Sequence, residues 1–260
     1  MSIGIFDSGL GGLTIVRALR EKYPKEKMIY YGDTLRVPYG EKKPEELIHL
    51  AERITVFLME QGAQLIVDAC NTTSALALDL LREKYGHEVE IIGVVEPGAA
   101  RAAALAKAQV GLMATQATVN SGAYQRKIFS RRSDLDVHSM ACPQLVPFIE
   151  SGDLSSYPLQ EALEAYLEPL LKEQMDVLIM GCTHYPLLRP MIERIVGEGV
   201  LLVDPGKEVV NSIVRYPGGD HGASICYTSS DAQDFAKKAD LLVPDHGFGT
   251  FVTYDLLEER

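Results

Sequence analysis

The sequence predicts an α/β protein with two related α/β domains, whose mainly parallel sheets are covered by helices. Short apolar runs alternate with helical patterns along nearly the whole chain, which is typical of parallel sheets with helical crossovers. The runs are continuously apolar, as strands buried on both faces are. A similar unit also occurs twice, at Leu65–Ser74 and Val177–Tyr185, where a strand-like run ends on a small residue and a cysteine. This repeat favours two related halves.

The elements follow from the spacing of apolar residues and from turn residues. We predict strands at Ile3–Phe6, Met28–Tyr31, Leu65–Val67, Ile91–Val94, Val110–Met113, Val137–Met140, Val177–Met180, Leu201–Val203 and Ser224–Tyr227. We predict helices at Leu13–Lys22, Pro44–Gln61, Thr73–Tyr85, Ala99–Lys107, Ser121–Ser130, Gln144–Glu150, Leu159–Lys172, Leu188–Val196 and Lys207–Val214. Pro169 predicts a kink or a break in its helix.

No low-complexity linker divides the chain, so the domain boundaries must lie in the crossovers. We place a crossover near Val95–Gly98 and a return near Asp204–Gly206. The prediction is a first domain of residues 1–95 plus 207–260 and a second of residues 96–206, with the active site in the cleft between them.

Composition excludes several classes of function. The 260-residue chain has 47% hydrophobic and 23% charged residues and a net charge of -11, which argues against a nucleic-acid partner. The most apolar long stretch, residues 98–114, contains Arg101 and Lys107 and is not a membrane span. The first residues lack the basic segment of a signal peptide, so we expect a cytoplasmic protein in which the four cysteines are reduced.

Ligands of open parallel sheets bind beyond the carboxyl ends of the strands. The loops at those positions are rich in small polar residues, whose hydroxyl and backbone donors suit a small anionic ligand. They are Asp7–Gly12, Gly32–Gly40, Asp68–Ser74, Val95–Ala99, Ala114–Gly122, Ala141–Gln144, Gly181–Pro186 and Asp204–Gly206.

Cys70 and Cys182 are the candidate reactive groups. A cysteine at the end of a buried strand is usually a core residue, but two in the same local setting are less easily explained by packing. A thiol at a strand-to-helix junction also meets the positive end of a helix dipole, which favours the thiolate. Cys142 and Cys226 are predicted to be packing residues.

Other polar residues could assist these thiols or have ordinary local roles. His184 follows Cys182 by two residues and could either move protons or hydrogen-bond its own loop. Asp7 could orient an ammonium group or a thiol, or simply form a turn. Glu150, from its spacing, would be a surface residue. Dinucleotide, Walker-type phosphate and zinc motifs are not matched, and a thiol hydrolase would leave one cysteine unexplained.

Six segments together resemble the cofactor-independent aspartate/glutamate racemase family. They are IGIFDSGLGGLT at Ile3–Thr14, YGDTLRVPYG at Tyr31–Gly40, ACNTTSA at Ala69–Ala75, ATQATVNSGAY at Ala114–Tyr124, ACPQLVPFIESG at Ala141–Gly152 and GCTHYPLL at Gly181–Leu188. The resemblance implies racemisation of L- and D-glutamate, supplying D-glutamate for peptidoglycan and thus for the cell wall. It also implies no metal or other cofactor, and a homodimer.

The resemblance further implies roles for individual residues. Cys70 would deprotonate D-glutamate and Cys182 would deprotonate L-glutamate, with each thiol protonating the face that the other has deprotonated. Asp7, His184 and Glu150 would assist them, and this implication replaces the surface interpretation of Glu150. The expected substrate-binding residues are Asp7, Ser8, Tyr39, Gly40, Asn71, Thr72, Thr115, Thr118, Thr183 and His184. The segment from Val243 onward matches no motif of the family.

Two alternatives remain open from the sequence. The first is a racemase of aspartate or of another acidic or cyclic substrate, although decarboxylating relatives keep only one of the two cysteines. The second is an amino-acid binding protein that closes on its ligand without chemistry.

Overall fold

The computed structural model describes residues 2–213 and 222–258. Within these residues the strands form two separate parallel sheets. One sheet has six strands in the order β10-β9-β2-β1-β3-β4, and the other has four strands in the order β6-β5-β7-β8. Two α/β regions with helix-covered parallel sheets are therefore present, as the sequence predicts.

Every strand pair is parallel, so all strands of a sheet end at the same edge. In the register, Asp7 at the end of β1 lies opposite Gly32, and Ala114 at the end of β5 lies opposite Gly181. The strands are β1 Ser2–Asp7, β2 Lys27–Gly32, β3 Leu65–Asp68, β4 Glu90–Gly93, β5 Gln109–Ala114, β6 Asp136–Ala141, β7 Val177–Gly181, β8 Leu201–Val203, β9 Ile225–Thr228 and β10 Phe251–Thr253.

Helices connect the strands and cover both sheets. They are α1 Leu13–Lys22, α2 Pro44–Glu60, α3 Asn71–Leu76, α4 Leu78–Tyr85, α5 Val95–Leu105, α6 Gln116–Ser121, α7 Ala123–Phe129, α8 Leu145–Glu150, α9 Tyr157–Lys172, α10 Arg189–Val196, α11 Pro205–Ser212 and α12 Ala232–Leu242. Short 3-10 helices occupy Thr34–Arg36, Tyr39–Glu41 and Tyr185–Leu188.

Each sheet is buried on both faces because its side chains alternate between two apolar layers. In β3, Leu65 and Val67 pack in the layer that contains α1, α11 and α12, whereas Ile66 packs on the side of α2 and α4. In β7, Leu178 packs with α8, α9 and α10, whereas Ile179 packs with α5 and α7. This two-sided burial explains the continuous apolar runs in the sequence.

The structure differs from the predicted elements in several places. The sequence did not lead us to predict α12 and β10, nor α6, which lies in the predicted loop Ala114–Gly122. A single helix was predicted at Thr73–Tyr85, where Ala77 separates α3 from α4. Of the kink or break predicted at Pro169, the break is absent, because α9 continues to Lys172 with Pro169 inside it. The predicted end of the helix at Val214 lies outside the described residues.

The two chain segments that pass between the sheets pack against each other. Helix α5 follows β4, an edge strand of the six-stranded sheet, and α11 follows β8, an edge strand of the four-stranded sheet. A Cβ atom placed on Gly98 of α5 would lie 2.9 Å from Cβ and 3.0 Å from Cγ of Pro205 in α11. The glycine thus permits a close approach that any other residue would prevent.

We therefore expect Gly98→Ala to destabilise the protein by about 1–3 kcal/mol, because the added methyl group overpacks this contact. In an unconstrained helix the same change would stabilise by up to about 1 kcal/mol. The free energy of unfolding can be measured by urea titration. Gly199→Ala is the control, since its Cβ would meet no atom within 4 Å and should leave stability nearly unchanged. An equally neutral Gly98→Ala would contradict the prediction.

Candidate active site

A cleft lies where the carboxyl ends of the two sheets face each other. The empty space within it is about 490 Å³, which includes the part open to solvent. Residues that follow β1, β2 and β3 line one side, and residues that follow β5, β6 and β7 line the other. The lining consists of Ser8, Pro38, Tyr39, Gly40, Glu41, Cys70, Asn71, Thr72, Thr115, Gln116, Cys142, Pro143, Val146, Cys182, Thr183 and His184.

Cys70 reaches the cleft from the six-stranded sheet, at the start of α3. Its side chain is buried and packs with Tyr39, Leu47 and Leu50. Burial raises the pKa of Cys70 above its usual range, and the carboxylates of Asp7 and Asp68 raise it further. The expected effect of the helix dipole, which favours the thiolate, is therefore outweighed, and Cys70 is held as a neutral thiol.

Cys182 reaches the cleft from the four-stranded sheet and has different neighbours. A turn closed by the backbone of Tyr185 and Cys182 follows β7, so α10 begins only at Arg189. This turn places Nδ1 of His184 3.6 Å from Sγ of Cys182. The other ring nitrogen, Nε2, lies 2.6 Å from Oε1 of Glu150. The three side chains form a Cys–His–Glu relay, in which a carboxylate orients the imidazole toward the sulfur.

The hydrogen bonds within this relay determine the charges of His184 and Glu150. Burial alone would lower the pKa of His184, but the hydrogen bonds to Cys182 and Glu150 outweigh burial and raise it well above its usual range. Burial alone would raise the pKa of Glu150, but the hydrogen bond from His184 and the charge of that ring outweigh burial and lower it. An imidazolium between an anionic carboxylate and a sulfur can donate to both, and a positive charge stabilises a thiolate.

Asp7 lies behind the cleft wall and joins both sheets. Its carboxylate accepts hydrogen bonds from the backbone of Gly12 at 2.8 Å and of Gly9 at 3.3 Å, so the glycine loop wraps around it. The hydroxyl of Thr183, at the end of the other sheet, donates to the same carboxylate at 3.3 Å. Burial raises the pKa of Asp7, and the charge of His184 together with the Gly12 and Gly9 amides opposes that rise.

Hydroxyl and amide groups from both sheets meet in the rest of the cleft. Oγ1 of Thr115 lies 2.9 Å from Oγ1 of Thr72 and 2.9 Å from Oγ1 of Thr118. The hydroxyl of Tyr124 donates to Oδ1 of Asn71 at 2.6 Å, which fixes the amide and leaves its nitrogen as the donor end. These contacts orient neutral donors for a ligand.

The predicted site residues are thus brought together, but not all of them line the cleft. Asp7, Glu150 and Thr118 stand behind it and contact lining residues. The surface interpretation of Glu150 was wrong, because its carboxylate bonds to His184. Local spacing could not reveal this contact, since His184 is 34 residues away in the sequence. Cys142, which spacing predicted to be only a packing residue, is buried but also lines the cleft.

Several lining residues were not predicted. Pro38, Glu41, Gln116, Pro143 and Val146 belong to or adjoin the loops that follow strands, so their position after a strand was the available signal. Among residues 2–213 and 222–258, no group of three His, Cys, Asp or Glu side chains is arranged to hold a metal ion. In the same residues no helix has the length and apolarity needed to cross a membrane.

Comparison with known proteins identifies the family of the chain that forms this cleft. The Asp/Glu/Hydantoin racemase family matches residues 14–213. A glutamate racemase of Desulforudis audaxviator is 48% identical over 212 residues, which cover 81% of this chain and 77% of that protein. The chain belongs to the Asp/Glu/Hydantoin racemase family.

Solved racemase structures agree with this membership. The structure of glutamate racemase from Francisella tularensis in complex with D-glutamate has a TM-score of 0.88 and 30% identity, covering 99% of this chain and 98% of that one. Glutamate racemase from Thermus thermophilus in complex with β-chloro-D-alanine has a TM-score of 0.86 and 37% identity, covering 98% and 97%. Both similarities extend over the two sheets and the cleft between them.

Replacing Glu150 tests the relay in this family member. In Glu150→Gln the imidazole loses the anion that raises its pKa while burial remains, so we expect the pKa of His184 to fall. Chemical shifts of the histidine ring measured against pH by NMR would report this change. Asp240→Asn, which removes the exposed partner of His246, is the control and should leave the His184 titration unchanged. An unchanged titration in Glu150→Gln would contradict the assigned relay.

Proposed function

We propose that this protein racemises glutamate without a cofactor, using Cys70 and Cys182 as the two proton-transferring groups. One observation carries the proposal: two thiols, each at the end of a strand of a different sheet, line the same cleft. The membership in a racemase family and the similarity to glutamate racemases over nearly the whole chain support it. Separate sheets are what allow two thiols to approach one carbon from opposite sides.

The protons balance in this scheme. With L-glutamate bound, the Cys182 thiolate takes the Cα proton, and its sulfur becomes a thiol. The Cys70 thiol then gives its proton to the opposite face of Cα, so D-glutamate forms and the thiolate now resides on Cys70. Reaction from D-glutamate runs through the same steps in reverse. Proton exchange with solvent restores the starting form of the enzyme.

The neighbours of the thiols suit these roles. The raised pKa of Cys70 keeps a proton on that sulfur, ready for delivery. The imidazolium of His184 lies beside Cys182, where it stabilises the thiolate that removes a proton. Glu150 maintains that charge through its hydrogen bond to the ring. We therefore assign Asp7, His184 and Glu150 as groups that assist the two cysteines.

A dicarboxylate would be held mainly by neutral donors, with His184 as the one cationic group among the described lining residues, because none of those residues is lysine or arginine. Hydroxyls, amides and backbone N–H groups act strongly on an anion in a cleft shielded from water. We assign binding of substrate to Ser8, Tyr39, Gly40, Asn71, Thr72, Thr115, Thr183 and His184, with Asp7 and Thr118 in support. Negative charge that develops on the α-carboxylate as Cα is deprotonated would be stabilised by the same donors.

We also propose a domain organisation, a cellular role and independence from cofactors for this enzyme. The two sheets would belong to two domains, residues 1–95 plus 207–260 and residues 96–206, that close over the substrate. The enzyme would act in the cytoplasm as a homodimer and supply D-glutamate for peptidoglycan. No cofactor would take part, since two sulfur groups suffice to move the proton.

Racemisation of L-glutamate by the purified protein tests the proposal. With no added cofactor, we expect the circular dichroism of L-glutamate to decay to zero. Cys70→Ala and Cys182→Ala should each lower the rate by at least about 10³-fold, because each removes a group that transfers the proton. Cys226→Ala, which alters a thiol in the core of the six-stranded sheet, is the matched control and should retain activity.

Other outcomes would contradict the proposal in distinct ways. No decay by the wild-type protein would exclude glutamate racemisation, and decay with L-aspartate alone would reassign the substrate. Substantial activity in both Cys70→Ala and Cys182→Ala would exclude the two-cysteine reaction even if glutamate is racemised. Glutamate binding that is unchanged in those variants, with no turnover before or after, would indicate a binding protein.

A further inference from the structure

The segment after β2 carries Tyr39, and a chain of buried polar contacts leads away from this residue. Tyr39 lines the cleft and is almost completely buried. Its hydroxyl donates to Oδ2 of Asp33 at 2.6 Å. Burial raises the pKa of Tyr39 well above its usual range, and the negative charge of Asp33 raises it further. The tyrosine therefore stays neutral and its ring is tied to Asp33.

Asp33 is itself fixed on its other oxygen. Its side chain is 1% exposed, and Oδ1 accepts from the guanidinium of Arg36 at 2.7 Å. The backbone N–H of Asp33 donates to the carbonyl of Asp7 at 3.1 Å. One end of this aspartate is thus fastened to the end of β1, and its carboxylate lies between Tyr39 and Arg36.

Arg36 continues the chain to the C-terminal segment. Its second guanidinium nitrogen contacts both oxygens of Asp255, at 2.7 and 2.9 Å. Arg36 and Asp255 are 16% and 12% exposed, so the ion pair is largely shielded from solvent. A shielded, charge-assisted arginine–carboxylate pair is stronger and more rigid than an ordinary surface pair.

Asp255 is held in place by the sheet edge. The residue before it, Tyr254, follows β10, donates its N–H to Thr228 at the end of β9, and accepts from the hydroxyl of Tyr31. The carbonyl of Leu256, the residue after it, accepts from Arg53 at 3.0 Å. Asp255 is therefore a fixed point from which Arg36 can be oriented.

We propose that Asp255 is a positioning residue, which acts through Arg36 and Asp33 to hold Tyr39 and the Pro38–Glu41 wall of the cleft in the substrate-binding position. The proposal rests on the proposed function, because it takes Tyr39 as a contact of the substrate. Gly40 packs against Thr115 of the opposite side, with a built Cβ only 2.8 Å from Cβ of Thr115, so a shift of this wall would alter the gap in which the substrate lies.

Other contacts would keep the segment folded when Asp255 is changed. The hydroxyl of Thr34 lies 2.5 Å from that of Thr228 and 2.6 Å from that of Ser230, and the N–H of Leu35 donates to Ser229. These bonds hold the start of the segment on β9 and do not involve Asp255. Substitution of Asp255 is thus expected to loosen Tyr39 without unfolding the protein.

The first test is steady-state racemisation by Asp255→Asn. We expect KM for glutamate to rise about 3- to 10-fold, with kcat within about twofold of the wild type, since binding is weakened and the thiols are untouched. The matched control is Asp240→Asn, which removes another C-terminal carboxylate that is paired with His246. It should leave KM and kcat unchanged. A purely structural role of Asp255 would lower the melting temperature and leave KM unchanged, and that result would overturn the proposal.

The second test asks whether the effect passes through the tyrosine hydroxyl. Tyr39→Phe breaks the bond to Asp33, so adding Asp255→Asn to it should change KM by less than about twofold. KM increases that multiply in the double variant would show that Asp255 acts independently of Tyr39 and would overturn the proposal.

Titration calorimetry with L-glutamate separates failure of this inference from failure of the proposed function. If the wild type binds glutamate but does not racemise it, the proposed function fails, while weaker binding by Asp255→Asn and not by Asp240→Asn still supports the positioning role. Equal binding by the wild type and Asp255→Asn would overturn the positioning role, whatever the activity.

Discussion

The carboxylate of Glu150 joins the two sides of the cleft. It lies at the end of α8, beside the four-stranded sheet, and binds Nε2 of His184 at 2.6 Å. The same oxygen accepts from the backbone of Leu10 at 2.9 Å, in the glycine loop that follows β1 of the six-stranded sheet. One partly exposed carboxylate therefore sets the charge of the imidazole beside Cys182 and fixes the loop that encloses Asp7. The contact between Thr183 and Asp7 reinforces the same connection.

The two thiols are equivalent in chain position but not in surroundings. Cys70 starts a helix, yet burial and the carboxylates of Asp7 and Asp68 favour its neutral form. Cys182 starts a turn and has an imidazolium as its neighbour. A helix of six residues after Cys70 cannot offset this desolvation, which is the dominant effect at a fully buried group. The repeat in the sequence thus produces two thiols with different surroundings: Cys70 is buried among carboxylates, whereas Cys182 lies 3.6 Å from the imidazole of His184.

Much of the fold could be predicted because the central strands are buried on two faces, as in β1, β3 and β7, and the long helices on one. The parts that failed have weaker local signals. Strand β10 has three residues at a sheet edge, and its pairing with β9 depends on distant residues. Helix α12 did carry a signal, since Asp231 caps its first turn and Phe235, Ala239 and Leu242 are buried at helical spacing.

The candidate site shows the same division between local and distant information. Cys70 and Cys182 could be found because both follow strands, where ligands of parallel sheets bind. Glu150 has no local signal, since only the fold brings it to His184, and the resemblance to a family supplied it. The ion pair between Arg36 and Asp255 spans 219 residues, and no spacing rule connects such positions.

The central claim is that two sulfur groups act on opposite faces of one carbon. The most direct test is to incubate the wild-type protein with L-glutamate in D2O and to stop the reaction long before equilibrium. The two enantiomers are then separated, and the deuterium content of each is measured by mass spectrometry. The claim predicts deuterium at Cα of the newly formed D-glutamate, because its proton comes from the second thiol, and almost none in the remaining L-glutamate. Deuterium that appears equally fast in both enantiomers would show that a single group removes and returns the proton, and would contradict the claim.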